Sequence, residues 1–152
     1  MCEEHVILYD GVCGLCDRLN QFVIRHDGAY KFRFAPLQSR FAVEALSSYR
    51  KNPRDLDTLY VISRYRTPSE LLLSRSEAVL FILRELGGMW RVAGSLRFLP
   101  TSLLDLGYRW VARNRYRIFG RYDACPIPRP EDRSRFIETE AGVRGSVSIA
   151  SP

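Results

Sequence analysis

Between His5 and residue 35 the chain runs through an apolar stretch, a helically spaced stretch and an alternating stretch, in that order. HVILY, from His5 to Tyr9, is short, continuous and β-branched, the pattern of a buried strand. Leu15, Leu19, Phe22, Val23 and Ile24 then fall near helical spacing among polar residues, and His26-Asp27-Gly28 is a glycine-bearing stop. KFRFA, residues 31–35, alternates strictly until Pro36 halts it. Two strands joined by a helix of this length form a β-α-β unit, and its strands must be parallel.

The remaining pattern extends that unit. Residues 38–49 (QSRFAVEALSSY) form a helix candidate with Ser39 as N-cap, and Asn52-Pro53 breaks the chain after it. Residues 56–63 (LDTLYVIS) predict a third strand, and residues 70–73 (ELLL) a fourth, paired with it as a hairpin across YRTPS. Ser74-x-x-Glu77 has the form of a capping box before AVLFILREL, and Gly87-Gly88 closes that helix. The order β-α-β-α-β-β-α implies one mixed α/β sheet covered by helices.

Beyond Gly88 the segment TSLLDLGYRWVARNRYRIFG predicts an additional amphipathic helix carrying Arg109, Arg113, Arg115 and Arg117. Leu103, Leu106, Trp110, Val111 and Ile118 are its expected packing residues, with the arginines turned to water. Pro126, Pro128 and Pro130 keep PIPRP extended, and the Ser-, Gly- and charge-rich remainder is expected to be mobile. These features imply a single domain over 1–125 that includes the basic helix, followed by a flexible tail over 126–152.

Size and charge bound the function. A chain of 152 residues suffices for one domain with a sizeable core and is short for two. No run of about 18 apolar residues predicts a membrane span. MCEEHVILYDG lacks a basic, cleavable leader, so a cytoplasmic setting is expected. There, paired cysteines more often serve catalysis or metal binding than structure. The net charge is +6, and only Lys31 and Lys51 among the 23 basic residues are lysine. Such a balance suits an anionic partner or simply a solvated surface. Without a nucleic-acid-binding motif, no nucleic-acid partner is expected.

Cys13 and Cys16 lie two residues apart where the first strand meets the first helix. They read as a redox pair, half of a metal site or two buried structural thiols, and the flanking turn, which sets Cys13 at an edge, favours the redox pair. The helix N-terminus favours a thiolate at Cys13, and Cys16 lies about one turn away. In such pairs the first cysteine is normally the exposed attacker and the second the resolver. Asp10 either raises the Cys13 pKa, accepts a proton from Cys16, or only shapes the turn. A four-thiolate metal site would require Cys2 and Cys125, with His5 and His26 as substitutes, and no second Cys-x-x-Cys exists. No metal is expected. His5 reads as partly exposed packing and His26 as a capping or surface residue.

YDGVCGLC, or Asp10-x-x-Cys13-x-x-Cys16, resembles the signature of the DCC family of predicted thiol-disulfide oxidoreductases. FRFAPLQS, DTLYVI, SEAVLFILREL and ARNRYRIFG resemble the family too, so the likeness spans residues 6–128. It implies a thioredoxin-like fold and a redox-active Cys13–Cys16 disulfide with no other cofactor. It implies Cys13 as attacker, Cys16 as resolver and Asp10 as an aid to proton transfer. Gly14 and Leu15 would stabilise thiolate through their amides. The substrate would be a disulfide-containing protein or small molecule, with an external thiol as electron donor. Two features depart from thioredoxin proper: Val12 stands where a Trp precedes the first cysteine, and no proline immediately precedes the third strand. Thr58 would offer backbone groups to substrate in that proline's place. Cys125 is either a further redox thiol or an anchor for the extended segment. The alternative function is a non-catalytic binding or redox-sensing module that recruits partners through its basic helix.

Overall fold

The computed structural model describes residues 3–52, 54–55, 57–95, 98–123 and 126–137. Four strands, β1 (His5–Tyr9), β2 (Phe32–Pro36), β3 (Tyr60–Ser63) and β4 (Leu71–Ser74), form one sheet in the order β2-β1-β3-β4. β2 runs parallel to β1, Ile7 facing Phe34, while β3 runs antiparallel to β1 and β4 antiparallel to β3. Helix α1 (Gly14–His26) makes the parallel crossover, α2 (Arg40–Ser48) follows β2, and α3 (Arg75–Leu86) follows the hairpin. This is the thioredoxin-like arrangement.

Strand β1 is buried along its whole length because helices cover both faces. On one face Ile7 and Tyr9 pack with Val23 of α1 and with Ala78 and Ile82 of α3. On the other, Val6 and Leu8 pack with Ala42 and Leu46 of α2. Ser39 caps α2 as its sequence predicts, accepting the Ala42 N–H. Ser74 occupies the N-cap of α3 without a side-chain hydrogen bond, so the capping box there is not formed. Strand β3 is shorter than expected, beginning at Tyr60. Pro53 and Leu56 of the approach lie outside the described residues.

Three further features depart from the sequence reading. A short helix, α4 (Gly88–Gly94), folds back after α3 and sets Trp90 edge-on to Phe22 and against His26. His5 is fully buried between Phe32 and Phe81, its Nδ1 accepting the Arg64 N–H. The basic helix α5 (Thr101–Phe119) is rotated from its expected packing. Leu103, Leu106, Trp110 and Ile118 are exposed, and Arg115 is buried at 3% exposure. Of the expected packing residues Val111 alone stays on the face toward α1 and α3, where Leu104, Tyr108, Ala112 and Arg115 join it.

Within the segment read as a flexible tail, a 3-10 turn over Arg133–Arg135 docks on β2. Arg135 is buried against Asp27, with which it forms an ion pair, and Phe136 stacks on Phe34 at 5.0 Å between ring centroids.

Candidate active site

Cys13 is the residue before α1, in extended backbone, and Cys16 lies in the first turn of that helix. Both are free thiols. The Cys16 thiol donates a hydrogen bond to the Cys13 sulfur, which lowers the Cys13 pKa to about 6 against the opposing effect of burial. The amides of Cys16 and Leu15 and the charge of Arg115 add to the lowering. The same hydrogen bond, burial and the neighbouring Cys13 charge push the Cys16 thiol upward. One sulfur is thereby set as a thiolate and the other as a proton-bearing thiol.

Cys13 is not the exposed edge residue that its sequence position suggests, having 0% of its surface accessible. The chain leaving α5 lies over it: Cys13 bridges Arg121 in antiparallel register, and Tyr122 N–H donates to the Val12 carbonyl at 2.7 Å. The Gly14 N–H donates to the Gly120 carbonyl at 3.2 Å. A Cβ on residue 14 would sit 2.2 Å from the Phe119 carbonyl oxygen, so only glycine permits this approach. The Gly14 amide, expected to face a thiolate, is thus engaged by the covering strap. Leu15 N–H remains directed at Cys13.

Asp10 ends β1 as a buried hub. Its Oδ1 accepts the Val12 N–H at 3.2 Å, making the turn, and the Gln38 Nε2 at 2.9 Å. Its Oδ2 accepts from Arg115 Nη2 at 3.2 Å and from the Tyr116 hydroxyl. Arg115 also reaches Asp57 at 3.2 Å. Burial first, then the bond to Asp10, holds the Tyr116 hydroxyl up at about 12, so it stays a donor. The arginine expected in water therefore joins α5 to the cysteine turn.

Beside Cys16 opens a cavity of about 370 Å³. Asp10, Leu15, Cys16 and Thr58 all line it, together with Leu59, Val79, Leu104, Tyr108, Val111 and Arg115, whereas Cys13 and Gly14 do not. Thr58 donates its hydroxyl to Asp55, and the Tyr108 hydroxyl accepts the Leu59 N–H at 2.7 Å. The structure thus brings four of the six sequence-derived site residues to one cavity wall and sets the other two beneath the strap. Cys2 and Cys125 lie outside the described residues. Sequence reasoning missed Gln38, Tyr108, Arg115 and Tyr116. Leu104, Tyr108, Val111 and Arg115 fall at i, i+4, i+7 and i+11, the spacing that marks one helix face.

Residues 7–121 match the DCC1-like thiol-disulfide oxidoreductase family. The chain is similar to the protein YuxK of Bacillus subtilis, 30% identical over 134 residues that make up 88% of this chain and 94% of YuxK. It is also similar to a chloroplastic DCC family protein of Arabidopsis thaliana, 34% identical over 126 residues, covering 82% of this chain and 70% of that protein. No solved structure matches the chain significantly. No described helix is long and apolar enough to cross a membrane.

Proposed function

The chain belongs to the DCC1-like thiol-disulfide oxidoreductase family, and on that premise we propose that Cys13 and Cys16 are its dithiol/disulfide couple, with Cys13 attacking and Cys16 resolving. The observation that carries this is the opposite setting of the two thiols, Cys13 lowered to about 6 and Cys16 raised. The Cys13 thiolate attacks one sulfur of a substrate disulfide, forming a mixed disulfide and releasing the other half as thiolate. That thiolate takes the Cys16 proton. Cys16 then attacks the Cys13 sulfur, closes the intramolecular disulfide and expels the second substrate thiolate, which water protonates. An external thiol restores the dithiol. Asp10 serves as a positioning residue, holding Arg115 near both sulfurs, and Leu15 and Thr58 form part of the substrate wall. Because Cys13 lies under the 120–122 strap, attack follows displacement of that strap.

A redox titration in glutathione buffers, with thiols trapped by a mass tag, tests this reading. Cys13 and Cys16 should interconvert as one two-electron couple that vanishes in Cys13→Ser. A folded protein in which the two never pair would refute it. The burial of Cys13 favours a second reading, a redox-sensing or binding module that uses the exposed Arg109, Arg113 and Arg117 to recruit a partner. Equal insulin-reduction rates for wild type and Cys13→Ser would select that module.

A further inference from the structure

We propose that the substrate of the Cys13–Cys16 couple is an extended peptide segment of a disulfide-bearing protein. It takes the place of the 120–122 strap against residues 12–14 and sets its own cysteine where Arg121 now stands. The inference rests on the dithiol reading above and deepens it by naming the substrate class and its register.

The strap pairs with the cysteine turn as one strand pairs with another. Gly14 N–H donates to the Gly120 carbonyl, Tyr122 N–H donates to the Val12 carbonyl, and the Cys13–Arg121 pair lies between the two bonds. Flanked in this way, the central pair is of the non-hydrogen-bonded kind, with Cα atoms about 4.5 Å apart and side chains on one face. A disulfide spans roughly 4.4–6.8 Å between Cα atoms. A cysteine in the place of Arg121 therefore meets the Cys13 sulfur at bonding distance, with both flanking hydrogen bonds kept.

Three observations favour a peptide in that place. First, a departing strap leaves one donor, the Gly14 N–H, and one acceptor, the Val12 carbonyl. A peptide has a carbonyl before its cysteine and an N–H after it, so it remakes both bonds. A disulfide outside a peptide chain remakes neither. Second, the bare Cα of Gly14 leaves room that the Phe119 and Gly120 carbonyls now fill, and an incoming main chain needs the same room. Third, the edge before β3 is closed to such pairing. The Tyr108 hydroxyl accepts the Leu59 N–H at 2.7 Å and donates to the Asp57 carbonyl at 3.5 Å, the two groups that flank Thr58. The strap itself can yield, because Gly120, Arg121 and Tyr122 are exposed. Besides its two main-chain bonds it is held by the Arg121 guanidinium over the Tyr116 ring, 5.3 Å from the centroid.

The exchange balances without a further reactant. The Cys13 thiolate bonds to the sulfur of the peptide cysteine as that cysteine's own S–S bond breaks, and the departing sulfur takes the Cys16 proton. Cys16 then bonds to Cys13, and the peptide leaves as a thiolate that water protonates. The substrate disulfide has gained two electrons, the Cys13–Cys16 pair has lost them, and the strap returns.

Three probes that share one thionitrobenzoate leaving group test this on the full chain. The first is a capped peptide of residues 118–123 with cysteine at the Arg121 position. The second is the same peptide N-methylated on the tyrosine after that cysteine, and the third is the mercaptoethanol mixed disulfide. Release of the coloured thiolate is followed on adding the dithiol protein. The rate of Cys13→Ser is subtracted, and the remainder is divided by each probe's rate with dithiothreitol. The peptide should react roughly tenfold faster than the mercaptoethanol probe or more, and N-methylation should slow it roughly two- to tenfold. In Cys16→Ser, shown to be folded by its thermal melt, each adduct stays on Cys13. Hydrogen exchange there should find the Gly14 amide protected by the peptide but not by mercaptoethanol, and the Tyr122 amide fast in both. In a chain whose couple titrates normally in glutathione, equal normalised rates for the peptide and either other probe would overturn the inference and leave the oxidoreductase reading intact. A Gly14 amide that exchanges freely in the peptide adduct would overturn the register, and the inference with it. A couple that fails to titrate would instead remove the dithiol reading, and this substrate with it.

Discussion

At the scale of single residues, the separation of the two thiols dictates pH behaviour. The Cys13 pKa, about 6, lies below the ordinary cysteine value of about 8.5. Thiolate absorbance near 240 nm should therefore rise with a midpoint near 6 in wild type, and that step should be absent in Cys13→Ser. The sign for stability follows from the lowered value. The Cys13 contribution is complete above pH about 8.5 and disappears as pH falls through about 6, so urea midpoints should drop over that window. Arg115→Leu removes a positive charge that lowers Cys13, so its thiolate midpoint should move upward. Gly14 makes a second, steric prediction. Replacing a helical glycine by alanine ordinarily gains up to about 1 kcal/mol. Here the new methyl meets the Phe119 carbonyl at 2.2 Å, a backbone atom that cannot swing aside. Gly14→Ala should instead lose about 1–3 kcal/mol in urea unfolding, and Cys13 should alkylate faster.

At the scale of elements, α5 shows what was legible in the sequence and what was not. Its bounds were readable, because Gly120 takes a left-handed φ of 80° at the C-cap. Its rotation was not. The apolar residues Leu103, Leu106 and Trp110 suggest one packing face, yet the face actually buried centres on Tyr108 and Arg115. A buried arginine is intelligible only beside Asp10, which is far away in the chain. The β-α-β unit was legible because apolar period and crossover length are local properties, and the Cys-x-x-Cys turn was legible with it. The burial of Cys13 depends on residues 119–122, and no local pattern around the cysteines reports them. The rotation has a mutational signature. Trp110→Ser, on the exposed side at 64% accessibility, should change stability by less than about 0.5 kcal/mol. Tyr108→Ala, which empties part of the cavity wall and orphans the Leu59 N–H, should cost about 3–5 kcal/mol in the same urea assay.

At the scale of the whole molecule, two late segments lie against the first third of the chain. Arg135 pairs with Asp27 and donates to the Phe32 carbonyl at 3.1 Å. Arg135→Ala leaves a buried carboxylate without its cation and should destabilise the fold by about 3–5 kcal/mol, read from the urea midpoint. The other segment is the strap from Gly120 to Tyr122. It is tied to the cysteine turn by the Gly14–Gly120 and Tyr122–Val12 hydrogen bonds, worth together about 1–3 kcal/mol. On that scale the strap is lifted in roughly one molecule in five to one in two hundred at any instant. The sulfur and the two amides then share a single clock. Deuterium uptake at the Gly14 and Tyr122 amides should be slowed by the same factor as alkylation of Cys13.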